Sequence, residues 1–178
     1  MRSVVKALDV YSPHRGLSAC AARVASMRPY CEIPNMTDEQ AIRELIESRA
    51  DAMRFKNAEA AVQLLADDIV AFEMVPPLAT PSAAVTDVQA MADWFAGWEG
   101  PIQIEIRDFI VHAEGDVAFA HSLNRLAGTR LGGGQTDIWM RSTLGFRRIS
   151  GEWRIVHGHT SVPFDPADGF KACLHLKP

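Results

Sequence analysis

Residues 137–163 read Asp137-Ile-Trp-Met-Arg141-Ser-Thr-Leu-Gly-Phe-Arg147-Arg-Ile149-Ser-Gly-Glu152-Trp153-Arg-Ile-Val-His157-Gly-His159-Thr-Ser161-Val-Pro163. Two runs rich in β-branched and aromatic residues flank a turn signal at Ile149-Ser-Gly-Glu152, the pattern of a long hairpin. Side chains alternate across a strand. Uniform alternation puts Trp153, Ile155, His157, His159 and Ser161 on one face of the returning strand, and Asp137, Trp139, Arg141 and Thr143 on one face of the outgoing strand. Both faces mix bulky aromatics with ionisable groups. A plain core face avoids that mixture, because burying a charge or an unpaired polar group is costly, whereas a ligand pocket carries it.

Upstream of the hairpin the chain punctuates itself clearly. Thr37-Asp-Glu-Gln40 is a capping box that opens a helix over about Asp38 to Lys56, with Ile42, Leu45, Ile46, Arg49 and Met53 on one stripe. An arginine on an apolar stripe either snorkels to the rim or is buried against a carboxylate. Asn57 is placed to cap a short helix over Ala58 to Leu65, and Asp67-Asp68 leads into a strand over Ile69 to Met74 with Ile69, Ala71 and Glu73 on one face. After a loop from Leu78 to Val85, Thr86-Asp-Val-Gln89 reads as a second capping box, for a helix ending at Gly97. From Pro101 the pattern is strand: Ile102, Ile104 and Ile106 alternate with Gln103, Glu105 and Arg107. A turn at Glu114-Gly115-Asp116 leads to a strand with Phe119, His121 and Leu123 on one face. Gly132-Gly133-Gly134 lacks a following Lys-Ser/Thr and is a turn, not a phosphate loop. Helices first and hairpin-linked strands after predict an α+β fold, an antiparallel sheet with helices on one face.

Composition bounds the function. The chain has 178 residues, 48% hydrophobic and 22% charged, with net charge −4, a soluble globular profile with room for one core. No basic footprint points to nucleic acid, and no apolar run is long enough to span a membrane. The cysteines, Cys20, Cys31 and Cys173, fall in no metal or redox spacing, which suits a reduced, cytoplasmic compartment. Residues 1–35 hold five basic and two acidic residues, against thirteen and twenty in the remainder. That basic, acid-poor opening has no apolar h-region, so it is no secretory signal, although it leaves an organelle presequence open. The adopted reading is an N-terminal extension over 1–35, disordered or preceding a natural start at Met36, then a domain over 36–164 and a tail over 165–178.

Four strings carry a resemblance. They are Ala66-Asp-Asp-Ile-Val-Ala-Phe-Glu-Met-Val-Pro76-Pro77-Leu78, Gly115-Asp116-Val-Ala-Phe, Asp137-Ile-Trp-Met-Arg141-Ser-Thr, and Gly151-Glu-Trp153-Arg-Ile-Val-His157-Gly-His159-Thr-Ser161-Val-Pro163. With the order of elements, they make Met36 to Phe164 resemble the SnoaL-like, ketosteroid-isomerase-like branch of the nuclear transport factor 2 superfamily. The resemblance implies a cystatin-like α+β barrel, an open cone of curved sheet wrapped on the N-terminal helices around a small-molecule pocket. It also implies a homodimer through the outer sheet face. Counting from Asp67-Asp68, Glu73 falls where the steroid isomerases keep their proton-shuttling aspartate. Arg49 falls at the position of their oxyanion tyrosine, and no acid stands near Thr143 or Gly145 where their second donor lies. The steroid-isomerase oxyanion hole is absent as such.

The candidate catalytic groups are therefore Glu73, His157 and Asp137. Glu73 suits proton abstraction beside a carbonyl, and a histidine coupled to Glu73 or Asp137 would form a proton relay. Arg49, Arg141, His121, His159, Trp139 and Trp153 are candidate substrate-binding residues. Each has a plain alternative: ion pairs to Glu73 or Asp137 for the arginines, core packing for the tryptophans, a hydrated rim position for Glu73. His157 and His159, about 7 Å apart along a strand, would chelate a metal only if a third ligand such as His121 or Glu73 converged. No metal or cofactor is expected. The expected function is acid–base catalysis without a cofactor, of isomerase, lyase or hydrolase type, on a small apolar organic molecule. The competing expectation is a non-catalytic dimeric ligand-binding or oligomerisation module.

Overall fold

The computed structural model describes residues 36–178; the expectations for residues 1–35, including Cys20 and Cys31, lie outside the described residues. Met36–Pro178 forms one compact unit. It opens with α1 (Asp38–Arg54), whose capping box is formed: Thr37 accepts from the Gln40 amide while the Gln40 side chain accepts from the Thr37 amide. Asn57 caps α2 (Ala58–Val62) by accepting from the Ala60 amide. Then come β1 (Leu65–Phe72), a short α3 (Ser82–Val85), α4 (Val88–Ala96), and the long strands β2 (Trp98–Glu114), β3 (Val117–Arg130), β4 (Gln135–Ile149) and β5 (Glu152–Ser161). No helix among the described residues is long and apolar enough to cross a membrane.

The five strands form one sheet in the order β1-β5-β4-β3-β2. The pairs β2/β3, β3/β4 and β4/β5 are antiparallel, as hairpin-length connections require. β1 departs from the wholly antiparallel expectation: it lies parallel to β5, with Ala71 opposite Gly158 and Phe72 opposite His159. The chain between β1 and β5 runs through two helices and three strands, so no hairpin dictates their relative direction. Register breaks in β2 between Glu99 and Gln103 and between Arg107 and Ile110 bend the longest strand. The sheet is curved and does not close on itself, and its concave side takes α1.

The hairpin's alternation is also corrected. Phe146 pairs with Ile155, but Gly145 pairs with His157, leaving Val156 as an extra residue. This bulge reverses the phase of β5, because two residues there oppose one on β4. Trp153 and Ile155 point into the core, while His157, His159 and Ser161 point to the convex face. Further boundaries differ: α2 ends at Val62 rather than Leu65, and Ser82–Val85, expected as loop, is helical. β1 starts four residues earlier than the alternation suggests and ends before Glu73. The cap of α4 is Asp87, which accepts from the Gln89 and Ala90 amides, whereas Thr86 ends α3 by donating to the Ser82 carbonyl. The tail forms, with Phe164, a two-stranded hairpin of β6 (Phe164–Asp165) and β7 (Lys171–Ala172).

Two apolar clusters occupy the concave side. One joins Ile42 and Ile46 of α1 to Ile69, Val111, Ala120, Phe146, Trp153 and Ile155. The other joins Ala52 of α1 to Ala61, Phe95, Trp98 and Ile102. Trp98 lies so close to β3 that a Cβ on Gly128 would meet its ring at 3.0 Å, and Gly128 itself adopts φ +155°. Glycine is required there on both counts.

Candidate active site on the concave face

The two clusters do not meet along α1 or along the middle strands. On α1, Arg49 lies between Ile46 of the first cluster and Ala52 of the second. On β3, Ser122 and Asn124 separate Ala120 from Leu126, which packs on the second cluster. On β4, Ser142 is the next inward-facing residue after Leu144 and Phe146. The interior is thus apolar at both ends and polar in between.

The polar band follows from strand register. Ser122 pairs with Ser142, and Ser142 with Thr160, so three hydroxyls lie abreast on the concave face at about 4.8 Å per strand. Glu73 extends the row: just past the end of β1, its Oε2 accepts the Thr160 hydroxyl at 3.2 Å. Ser122 and Ser142 are buried, and Ser122 donates to Asn124 Oδ1 at 2.8 Å. Asn124, Ile138, Met140 and Thr160 share this inward parity yet remain half-exposed. Solvent therefore reaches this part of the concave side.

Arg49 is the charged element of the band. Its Nε is sealed from solvent without a hydrogen-bond partner, a condition shared only with Trp98 Nε1 among the described residues. Burial pushes the Arg49 guanidinium down from its ordinary value, and the negative charge of Glu73 opposes that shift. The two form no ion pair within 4 Å. Glu73 is exposed at the rim and bonded to Thr160, so it acts on the arginine through space. An arginine remains protonated even so; the side chain as a whole is half-buried, and its enclosed Nε is the part that lacks a partner.

The other sequence candidates lie elsewhere. Asp137, Trp139 and Arg141 of β4, His121 of β3, and His157 and His159 of β5 all face the convex side by register. Asp137 is held by Arg125 through two hydrogen bonds of 2.7 and 3.1 Å and by Lys177 at 3.1 Å. These cations, Arg125 foremost, hold its carboxyl down at about 2, which makes it a weak proton acceptor. Trp139 is buried on that side beneath the Arg107 guanidinium, 4.9 Å from its ring centroid. His157 and His159 pack edge-on against Phe72, with centroids 5.0 and 6.0 Å away. Trp153 is a core residue, its indole N–H directed at Asp38 Oδ1 (3.4 Å) and its ring covered by Arg148 at 4.5 Å. Among the described residues no group of three His, Cys, Asp or Glu side chains could hold a metal ion. Two open clefts of about 300 and 320 Å³ also lie on the convex side, sharing Arg125 and Asp137, which are paired with each other.

Of the sequence candidates, only Glu73 and Arg49 belong to the polar band. Ser122, Asn124, Ser142 and Thr160 were not singled out from the sequence. The available signal was a small polar residue recurring inward on three strands, visible only once their register is known.

The chain was compared with known proteins. The family profile of the SnoaL-like domain matches residues 42–165. Among proteins with curated descriptions, none matches. Among solved structures, an NTF2-like protein of unknown function from Pseudomonas putida is 34% identical over 81% of this chain and 100% of that one, with a TM-score of 0.69. An NTF2-like superfamily protein from Salmonella enterica is 17% identical over 75% of this chain and 96% of its own, with a TM-score of 0.62. A protein with a cystatin-like fold from Caulobacter vibrioides is 19% identical over 74% and 92%, with a TM-score of 0.60. These last two likenesses are of fold alone.

Proposed function

Since the chain belongs to the SnoaL-like domain family, we propose that it is a cytoplasmic, cofactor-independent acid–base enzyme of isomerase, lyase or hydrolase type. Its reaction chamber is the polar band of the concave face, and its substrate is a small, largely apolar organic molecule. One observation carries this reading: the core is interrupted on α1 at Arg49 and on β3, β4 and β5 by a row of hydroxyls that ends on Glu73, the carboxylate whose charge reaches Arg49. A domain selected only for stability would fill that gap with apolar side chains, because buried polar groups lower stability unless fully paired.

The chemistry follows from the placement. Glu73, at the solvent end of the row, takes a proton from a carbon or a water. Arg49 and the serine hydroxyls donate toward the oxygen on which negative charge develops, and such fixed donors are worth most in a site sheltered from water. The asymmetry of a carboxylate at the rim and a cation inside orients the substrate with its oxygen inward.

The convex face supports a homodimer. Val70, Phe72, Ile110, Val117 and Phe119 are exposed there, more apolar surface than scattered single residues account for.

The test begins with thermal-shift screening of small ketones, acids and terpenoids, followed by turnover assays on the ligands found. Glu73→Gln should abolish turnover and leave the fold intact. Retained turnover in that variant removes Glu73 as the base.

A further inference from the structure

On the concave face, among the described residues, Arg49 has no ion pair within 4 Å. Arg49 reaches its position because α1 carries it between two apolar clusters, on the same stripe as Ile42 and Ile46. Its Nε has neither solvent nor acceptor, and the carboxylate whose charge acts on it, Glu73, stands exposed at the rim. A neutral ligand would leave that cation as uncompensated as before. A dianion such as a phosphate monoester would meet one cation and, at the entrance, the negative Glu73. A monoanion matches the single positive charge, and a planar carboxylate matches the fork of a guanidinium. The remainder of such a ligand would lie against Ile138, Met140 and Leu126, inward-facing apolar residues that are only half-buried.

We infer that the interior takes a small organic monocarboxylate, its carboxylate seated on Arg49 and the Ser142 hydroxyl and its apolar body along β3 and β4. This rests on the concave face being the reaction chamber and adds the chemical class of what enters it. The carboxylate oxygens supply the acceptor that Arg49 Nε lacks, and Glu73, kept at the rim by Thr160, is left beside the carbon body of the ligand.

The test uses the full chain and two matched probe pairs, phenylacetate with phenylacetamide and hexanoate with hexanamide. Binding is followed by calorimetry and by the Arg49 Nε–H signal in ¹⁵N-edited NMR. The acids should bind at least about tenfold more tightly than their amides, as charge-assisted hydrogen bonds imply, and should move the Nε–H signal, which the amides leave in place. Arg49→Met should reduce acid affinity to that of the amide, while its ligand-free Tm stays at or above that of the wild type because an enclosed Nε–H without an acceptor is gone. Should that variant fail to fold, Arg49→Lys tests the same point by keeping the charge and losing the fork, and the wild-type NMR titration needs no variant. Acids and amides binding alike in the interior would overturn the monocarboxylate and leave the chamber standing. No response of Arg49, Ser122, Ser142 or Thr160 to either class would overturn both.

Discussion

Thr160 donates its hydroxyl to Glu73 Oε2 at 3.2 Å, linking the concave face of β5 to a carboxylate that stands just beyond the last residue of β1. Nothing else among the described hydrogen bonds holds that side chain, so its direction depends on this contact. Thr160→Val keeps the β-branched shape and removes the donor. A hydrogen bond to a charged group at an exposed position implies a loss of about tenfold in kcat/KM, with Tm nearly unchanged. Kinetics of the variant on the substrate found by screening check this; an unchanged rate means that Glu73 is positioned by something other than Thr160.

Stability should depend on the first apolar cluster far more than on the polar band. Ile42 is fully buried against Phe146, Trp153 and Val111. Ile42→Ala removes three carbons from a packed site and should lower stability by about 2–5 kcal/mol. Ser142→Ala, equally buried but in the band, should change it by less than about 1 kcal/mol. Urea unfolding of both variants measures the contrast. Comparable losses would place Ser142 in the structural core and remove it from the chamber.

How much of this was legible in the sequence depends on range. The Thr37–Gln40 box and the Asn57 cap are local signals, and both formed as their spacing predicts. The alternation of β3, β4 and the Ile102 to Arg107 stretch of β2 was equally readable, since a half-buried strand must place every second side chain inward. The bulge at Val156 was not. Ile155-Val156-His157 has no glycine or proline to mark an extra residue, so simple counting carried His157 and His159 to the wrong face. The parallel pairing of β1 with β5 joins segments far apart in sequence and leaves no local trace. The hydroxyl row was illegible for the same reason: Ser122, Ser142 and Thr160 are ordinary strand residues until three strands are set in register. Arg49 was legible as an arginine on an apolar stripe. Its lack of a close carboxylate was a matter of where Glu73 comes to rest.

A dimer through the convex face should be sensitive to a single charge. Phe119 lies on that face, exposed, with its ring 5.1 Å from that of His112. Phe119→Asp adds a carboxylate that a tight apolar interface would have to bury unpaired, at no cost to a free monomer. Sedimentation should find the wild type dimeric and the variant monomeric, both with the same far-ultraviolet circular dichroism. A wild type that is monomeric across the micromolar range would leave the apolar face to some other partner.

Acid stability should respond to the cluster on the convex face. The hydrogen bonds from Arg125, and then from Lys177, hold the Asp137 carboxyl at about 2, below its ordinary 3.8. The folded-state value is depressed, so the folded chain binds this proton less readily than the unfolded one, and stability rises with pH across the interval. The contribution is fully present above about 3.8 and is lost as pH falls toward 2. Asp137 is well exposed, so solvent screens the effect and it should be modest. Arg125→Ala removes the larger cause. In that variant the carboxyl should titrate closer to 3.8, so the modest stabilisation present above about 3.8 should be lost: the two proteins should differ most near neutral pH and converge as pH falls toward 2. NMR titration of the Asp137 side chain in both proteins measures the shift directly. An unchanged Asp137 value in Arg125→Ala would show that Lys177 alone suffices, and Lys177→Ala should then carry the whole effect.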